Sequence, residues 1–598
     1  MIYASIKVCL KIRGPILCKA TATSAWGIDA TFAIDYTGRP VIERSHIKGK
    51  LREALRELGV DPNNIITWLG KEEDRETGML EITDFYSNCR PEHDAYEKRL
   101  TRTRMDRKRG VVEETALVFM ENRFPLRSEP YEWEGTITFF AEDEDTGQAG
   151  EIHDAVKAGL KWIAAFGSEK SVGLGRLKSV KTELNCEAVN IPAPFPAPLS
   201  AEKWFTVTIK PSEPLLIGGV KRKSSTYMES ETIIHGGMIK GALAETLNQI
   251  CGAKKYTDAP PIDDVHNSAV KEKYPNLAKH FSDIRFTHAF PSKYPEQRPV
   301  VIPYSAVSSR GDCRDAALCK EPKPINGSAP IFQVDWKDKD YPGGFGWPSL
   351  RRISRTRTAI DEELRRAEEN RMFTYGYVCP KDEDGVDVVW VGWVKLPDVD
   401  TGALQSELED AIRRVTRLGK RRSRVEIKIK PQMCGSAQTE RQPIENGLII
   451  VALQSDALMA DPDELLKKQT ADKLKKLYEA YWSEVFGSNT VELVRFFAHQ
   501  RLLGGYLGRR MAGGYYPFYL TGAGSVFVLK ADKALECVNK WKNNGLPVPA
   551  WAKKKYGNGK GEDLWQRCPF VPQNGYGEVA VNLNWHFKER IDVAGGGQ

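Results

Sequence analysis

Long apolar runs are missing: none of the 598 residues lies in a stretch approaching the ~20 consecutive apolar side chains of a membrane helix. No membrane partner is therefore expected. The opening MIYASIKVCLKIRG alternates like a strand and lacks the shape of a signal peptide. Cysteine is sparse, 11 residues without a repeating framework, which excludes a disulfide-stapled scaffold and fits the reducing cytoplasm. A P-loop, a paired-carboxylate polymerase motif and a Ser-His-Asp arrangement are also absent. Net charge is low, +7, but unevenly placed: Lys98 to Arg109 carries seven basic residues and Arg413 to Lys430 carries nine. A basic run alone is commonly a solvated face; beside glycine-rich turns it points to a polyanion.

What the chain does have is a strand–loop–helix pattern written twice. Within Ser24–Gly59, Ile47, Leu51, Leu55 and Leu58 recur at helical spacing, with Ser45 the expected cap and Gly59 the stop. Lys48, Gly49 and Lys50 are expected in the first turn, where free N–H groups and a bare Cα let a phosphate approach. His46 is a further candidate phosphate contact there. Ahead lies a loop with two carboxylates, Asp29 and Asp35, the second read as structural. His235–Leu243 opens a second helix, with Ile239, Leu243, Leu247 and Ile250 on one face and Lys240-Gly241 in the place of Lys48-Gly49. Alternating strands precede both helices, at Ile6–Ile12 and Phe205–Ile209, which predicts an internal duplication.

Residues 1–189 read as the first unit. A polar stretch with Trp68 and the 98–109 cluster is followed by a strand at Tyr131–Phe140, a helix over Ile152–Phe166, a loop Gly167–Arg176 and a strand at Leu177–Val180. That order predicts an α+β chain of tandem ferredoxin-like domains with insertions and glycine-rich loops. In the loop, Gly173 and Gly175 let the backbone lie against sugar-phosphate while Lys170 and Arg176 supply charge; a tight helix-to-strand turn is the plainer reading. Residues 190–202, with proline at every second position from Pro192 to Pro198, read as a stiff linker. Residues 203–440 repeat the order, with a strand at Val388–Val394, a helix over Leu404–Val415 and Lys420, Arg421, Arg422 and Arg424 in the closing turn. Residues 441–598 offer a strand at Leu448–Leu453, a charged helix from Pro462 to about Trp482 and glycine turns with Arg509, Arg510, Tyr515 and Tyr516. Those aromatics suit stacking on unpaired bases, or on each other.

Ile28-Asp29, Pro40-Val41-Ile42 and the helix start Ser45–Arg52 resemble motifs of the RAMP superfamily of CRISPR-associated proteins, specifically the type III backbone subunits of the Cas seven group. Where that family has Pro-Gly before the serine, this chain has Glu43-Arg44. The Gly167–Arg176 loop is similar to the superfamily's glycine-rich loop. From Lys203 onward, His235–Leu243, Arg355–Phe373 and Gly522–Val528 resemble Csx-ten, the Cas five-like subunit of type III-D systems. The resemblance implies a Cas seven–Cas five fusion that holds the 5′ handle and adjoining guide of a CRISPR RNA. Its neighbours would be a large subunit and further Cas seven-like backbone subunits. It implies an endoribonuclease: Asp29 matches the aspartate needed for cutting paired target RNA with Mg2+ or Mn2+. The echoed segments Arg102-Thr103-Arg104-Met105-Asp106 and Arg355-Thr356-Arg357 to Asp361 are similar to one leading into a hairpin over the guide.

RNA contacts are then expected from His46, Lys48, Lys50, Arg104, Lys170, Gly173, Gly175, Arg176, Lys240, Arg357, Lys420, Arg421, Arg422, Arg424, Arg509 and Arg510. Some family insertions bind zinc, which makes Cys313 and Cys319, in company with Cys379 or His288, candidate ligands against the alternative of free cysteines. Lys221–Glu231 has no counterpart of Asp29 and reads as binding without cutting. Two other readings stand: a repeat-RNA processing endonuclease of the Cas six type, using histidine without metal, and a non-catalytic scaffold.

Overall fold

Alternation of apolar and polar residues makes the first strand, β1 (Ile2–Ile12), which buries Ile6, Val8 and Leu10 on one face. The computed structural model describes residues 1–20, 27–70, 78–88, 99–103, 105–106, 108–114, 116–142, 147–190, 203–218, 226–253, 265–309, 312–319, 343–360, 367–399, 402–431, 433–441, 447–467, 471–487, 491–503, 518–531, 534–557 and 564–588. Arg104, Arg509, Arg510, Asp361, the proline linker and the pair Tyr515-Tyr516 lie outside them. Within them the molecule is mixed α/β, built on antiparallel sheets, and no helix is long and apolar enough to cross a membrane.

After β1 come β2 (Val41–Ile42), α1 (Arg44–Glu57), α2 (Pro62–Leu69), β3 (Phe85–Ser87), β4 (Arg99–Arg102), β5 (Val118–Glu121), β6 (Tyr131–Ala141), α3 (Gly147–Trp162) and β7 (Leu177–Ala188). The sheet runs β7–β1–β6–β3–β2, the neighbour order compatible with a ferredoxin-like fold. Ile47, Leu51 and Leu55 of α1 share its core with Ile152, Val156 and Leu160 of α3. The helices meet where Gly159 faces Leu51; a Cβ there would stand 2.8 Å from the leucine's methyl.

Two local expectations are corrected. α1 starts at Arg44, with Glu43 as its cap residue, so Ser45 lies inside the first turn and caps nothing. Lys48–Lys50 consequently sit one turn further in, beyond the free N–H groups. The polar stretch also hides α2, started by Asp61, whose carboxylate accepts the Asn63 N–H, and by Pro62; its Trp68 is buried.

The next elements are β8 (Trp204–Pro211), α4 (Gly236–Ile250), β9 (Arg285–Phe286), β10 (Leu350–Ile360), β11 (Ala367–Asp382), β12 (Val389–Lys395), α5 (Gly402–Arg413), β13 (Arg417–Leu418) and β14 (Ser423–Pro431). Their main sheet runs β9–β12–β8–β14–β13, while β10 and β11 pair as a long separate hairpin. Last come β15 (Leu448–Leu453), α6 (Ala471–Phe486), β16 (Val491–Phe497), β17 (Val526–Ala531) and β18 (Val579–Val581), in a sheet ordered β16–β17–β15–β18. The charged helix expected from Pro462 is a short helix, Pro462–Lys467, followed separately by α6. Val300, Ile302, Cys313 and Phe345 share one core cluster with Ile450, Val526 and Ala580, so the packing runs through the position of residue 440.

Candidate nucleic-acid interface

The loop before β2 is fixed against β5. The Asp29 N–H donates to the Phe119 carbonyl, and the Phe119 N–H donates to Asp29 Oδ2, both at 2.8 Å. The Phe32 N–H donates to Glu121 Oε2 at 2.6 Å. Asp29 is exposed, and among the described residues its Oδ1 has no partner. Asp35 holds a turn, accepting from the Thr37 and Arg39 N–H groups.

β5 pairs with β4, placing Thr101 opposite Phe119 and Arg102 opposite Val118. Arg102 forms an ion pair with Glu169, which also binds Lys19 at 3.0 Å. Three segments far apart in sequence therefore converge: the Asp29 loop, the basic hairpin and the glycine loop. The loop's geometry is demanding. Gly173 and Gly175 adopt φ of 93° and 66°, and a Cβ on Gly175 would lie 2.0 Å from the Phe166 carbonyl oxygen. Arg176 and Lys170 are exposed beside it.

The start of α1 is not an open anion site. Its first N–H, of Arg44, donates to Asp84 Oδ1 at 2.7 Å, and Glu43 stands at the cap position. Arg355 and Arg357 of β10 both reach Glu43 at 3.3 Å, and Arg357 donates to Ser45 Oγ at 2.6 Å. Carboxylates already complement the helix dipole there, and arginines complement the carboxylates. His46 is likewise corrected: its Nε2 accepts the Gly167 N–H at 3.0 Å, which ties α1 to the glycine loop. Burial, with Lys50 and Lys170 nearby, pushes its pKa down to about 4, so the ring is neutral and inward-facing.

Several expected RNA contacts serve the protein instead. Lys240 is 8% exposed and donates to the Ser282 and Ile284 carbonyls, both at 3.1 Å, so it holds backbone rather than phosphate. Arg422 pairs with Glu81 and Glu245, each at 2.6 Å, and Arg417 pairs with Glu81 at 2.8 Å. Arg44 binds Glu213 at 2.9 Å and the Arg421 carbonyl at 3.0 Å. Together these fasten the first unit to the turn between β13 and β14. Lys50 pairs with Glu53 at 2.5 Å. Lys48 and Arg421 keep their charged groups without an ion-pair partner among the described residues, while Arg424 is exposed and Lys420 lies 5.7 Å from the Tyr375 ring. The signal for this seam was in the sequence: Glu43-Arg44, standing where the resembled pattern has Pro-Gly, supplies four of its contacts, to Arg355, Arg357, Glu213 and the Arg421 carbonyl.

Cys313 and Cys319 are buried, and among the described residues neither belongs to a group of three converging metal ligands. Such a group exists at Cys9, Glu132 and Glu134, where Lys11 already pairs with Glu132 at 2.7 Å. His288 Nδ1 accepts the Gly236 N–H at 3.1 Å, beside His235.

The RAMP superfamily model matches residues 19–178. No curated protein matches the chain. Among solved structures, one titled a cryo-EM structure of the Type III-B Cmr-beta bound to cognate target RNA matches at 19% identity and a TM-score of 0.23, covering 30% of this chain and 60% of that one. A second, titled as bound to cognate target RNA and AMPPnP, matches at 14% identity and a TM-score of 0.29, covering 54% and 86%. A third, of the apo state, matches at 16% and 0.23, covering 30% and 96%.

Proposed function

From the premise that residues 19–178 are a RAMP-superfamily domain, we propose that the chain is a CRISPR-RNA-binding subunit of a type III effector complex. On this reading two ferredoxin-like units lie in tandem, the first Cas seven-like and the rest Cas five-like, the latter holding the 5′ handle. The observation that carries the proposal is that the matched residues contain Asp29, the basic hairpin and the glycine loop, which converge on one side of the first unit. RNA lying along exposed Lys170 and Arg176 would pass close to the Asp29 carboxylate. CRISPR RNA, target RNA and other effector subunits are the partners.

Asp29 is the proposed cutting residue. Its Oδ1, unpartnered among the described residues, would serve as a base for a 2′-hydroxyl, and its Oδ2 is held by the Phe119 N–H so that the carboxylate keeps its direction. The residues present do not fit a resident metal ion, because no group of three converging ligands includes Asp29 among the described residues. The Mg2+ or Mn2+ we propose for cutting is one carried in with RNA phosphate oxygens and water, as such ions commonly are.

The test is an assembled complex carrying Asp29→Asn, incubated with end-labelled target RNA and magnesium, with an EDTA control. We expect normal guide and target binding, loss of the one cut belonging to this subunit, and persistence of its neighbours' cuts. A full set of products would sink the assignment and leave a non-catalytic scaffold. EDTA-resistant cutting of repeat RNA would favour an enzyme of the Cas six type.

A further inference from the structure

Between Asp29 and the basic hairpin lies a buried carboxylate that the proposed cut does not use. β5 meets the Asp29 loop as a short parallel pairing, with Ala30 beside Met120. The Asp29 and Ala30 N–H groups donate to the Phe119 carbonyl, and the Glu121 N–H donates to the Ala30 carbonyl at 2.9 Å. The next rung of such a pairing would bring the Phe32 N–H to the backbone carbonyl of Glu121. Here the Glu121 side chain takes it instead: Oε2 accepts the Phe32 N–H at 2.6 Å, and Oε1 accepts from Arg123 Nε. Glu121 is 3% exposed and Phe32 1%. Without the carboxylate, a buried donor and a guanidinium both lose this acceptor. The far side of the loop is held separately, by Ala20 N–H to the Thr31 carbonyl at 2.8 Å and Ala33 N–H to the Cys18 carbonyl at 2.7 Å. Glu121 therefore governs the grip of the hairpin strand on the loop, not the existence of the loop.

We propose that Glu121 is a positioning residue for the cut, the group through which the hairpin sets the direction of the Asp29 carboxylate. The same strand carries the Phe119 N–H that holds Asp29 Oδ2, two residues before Glu121. It also pairs with β4, whose Arg102 reaches Glu169 of the glycine loop. A displacement of the hairpin is thus passed to the loop at two points, Phe119 and Glu121, on either side of Ala30. Glu121 is buried and touches no RNA; it acts only through Asp29. The inference rests on the reading of Asp29 as the cutting residue and adds what fixes its aim.

Assembled complexes carrying Glu121→Leu, Glu121→Gln or Asp29→Asn are compared with the native one in single-turnover cutting of end-labelled target RNA over a range of target concentrations. In parallel, hydrogen exchange of residues 28–33 is followed by mass spectrometry on each full-length chain. Glu121→Leu should slow this subunit's cut roughly 10- to 100-fold at saturating target, the scale of a misaimed catalytic group. The half-saturating target concentration and the neighbours' cuts should stay unchanged, and exchange in 28–33 should quicken. Glu121→Gln should recover most of both, because its amide oxygen can still accept the Phe32 N–H. Quickened exchange with an unchanged cutting rate overturns the positioning role. A slower cut that comes only from weaker target binding, or from loss of the chain from the complex, also overturns it and makes Glu121 structural. A cut that survives Asp29→Asn but is slowed by Glu121→Leu removes the Asp29 reading and leaves Glu121 positioning another group. Absence of this cut from the native complex overturns both.

Discussion

His46 shows how a residue with the right neighbours for one role performs another. Its Nε2 accepts the Gly167 N–H, which only the neutral ring can do, and its pKa falls from the ordinary 6.5 to about 4. Between those values the unfolded chain takes up a proton that the native one refuses. Stability is therefore lost as pH falls from 6.5 towards 4, by on the order of 3 kcal/mol in full. Urea midpoints at pH 7 and pH 4.5 should differ less for His46→Asn than for the native chain; equal differences would acquit His46. Lys240 acts in another window. Burial lowers it to about 7 from 10.5, so it binds a proton less readily in the native chain, and its penalty is relieved as pH rises between those values.

At the scale of elements, the turn between β13 and β14 works as a clasp. Glu81 receives Arg417 Nε at 2.8 Å and an Arg422 terminal nitrogen at 2.6 Å. Burial works against its charge, yet the two arginines hold its pKa below the usual 4.5. Glu81→Gln leaves those arginines facing a neutral amide. Since Glu81 and Arg422 are 23% and 26% exposed, the cost is reduced to about 2 kcal/mol. Thermal melts should register it, and Glu81→Gln with Arg422→Met should recover part of the loss. A double variant as unstable as the two singles summed would rule out direct coupling.

Much of this architecture was legible. Alternation marked β1 and β8, a continuous apolar run marked β15, buried on both faces, and apolar spacing marked α1, α3 and α4, each burying one face. α2 was missed although Asp61-Pro62 announces it, since its surroundings are polar. The start of α1 was misread because the carboxylate that accepts its first N–H, Asp84, is brought in by the tertiary structure, while Ser45 looks like a local cap. Basic runs disclose charge but not its partner: Arg422 and Glu81 are 341 positions apart. The glycine loop was legible because φ above zero and a 2.0 Å approach leave no other residue at Gly175.

At the scale of the whole molecule, Arg298 joins the second and third sheets. Its guanidinium lies between Phe290 and Trp393, at 4.1 and 4.2 Å, and grips both oxygens of Glu578 at 2.6 and 3.0 Å. Arg298 is 2% exposed and Glu578 5%. Arg298→Ala strands a buried carboxylate and empties a slot between two rings, so we expect a loss of roughly 3–5 kcal/mol. Calorimetry should show residues 203–588 melting at lower temperature; an unchanged endotherm would mean the sheets are held elsewhere.

The clasp also sets a timetable. Glu81 leaves the ribosome 341 residues before Arg422 does. At about 5–20 residues per second, that interval lasts roughly 20–70 s. For nearly all of it the nascent first unit can close its own sheet, but neither Arg417 nor Arg422 has yet been made to answer Glu81. Until the seam closes, that carboxylate stands open on each newborn chain to whatever basic surface passes.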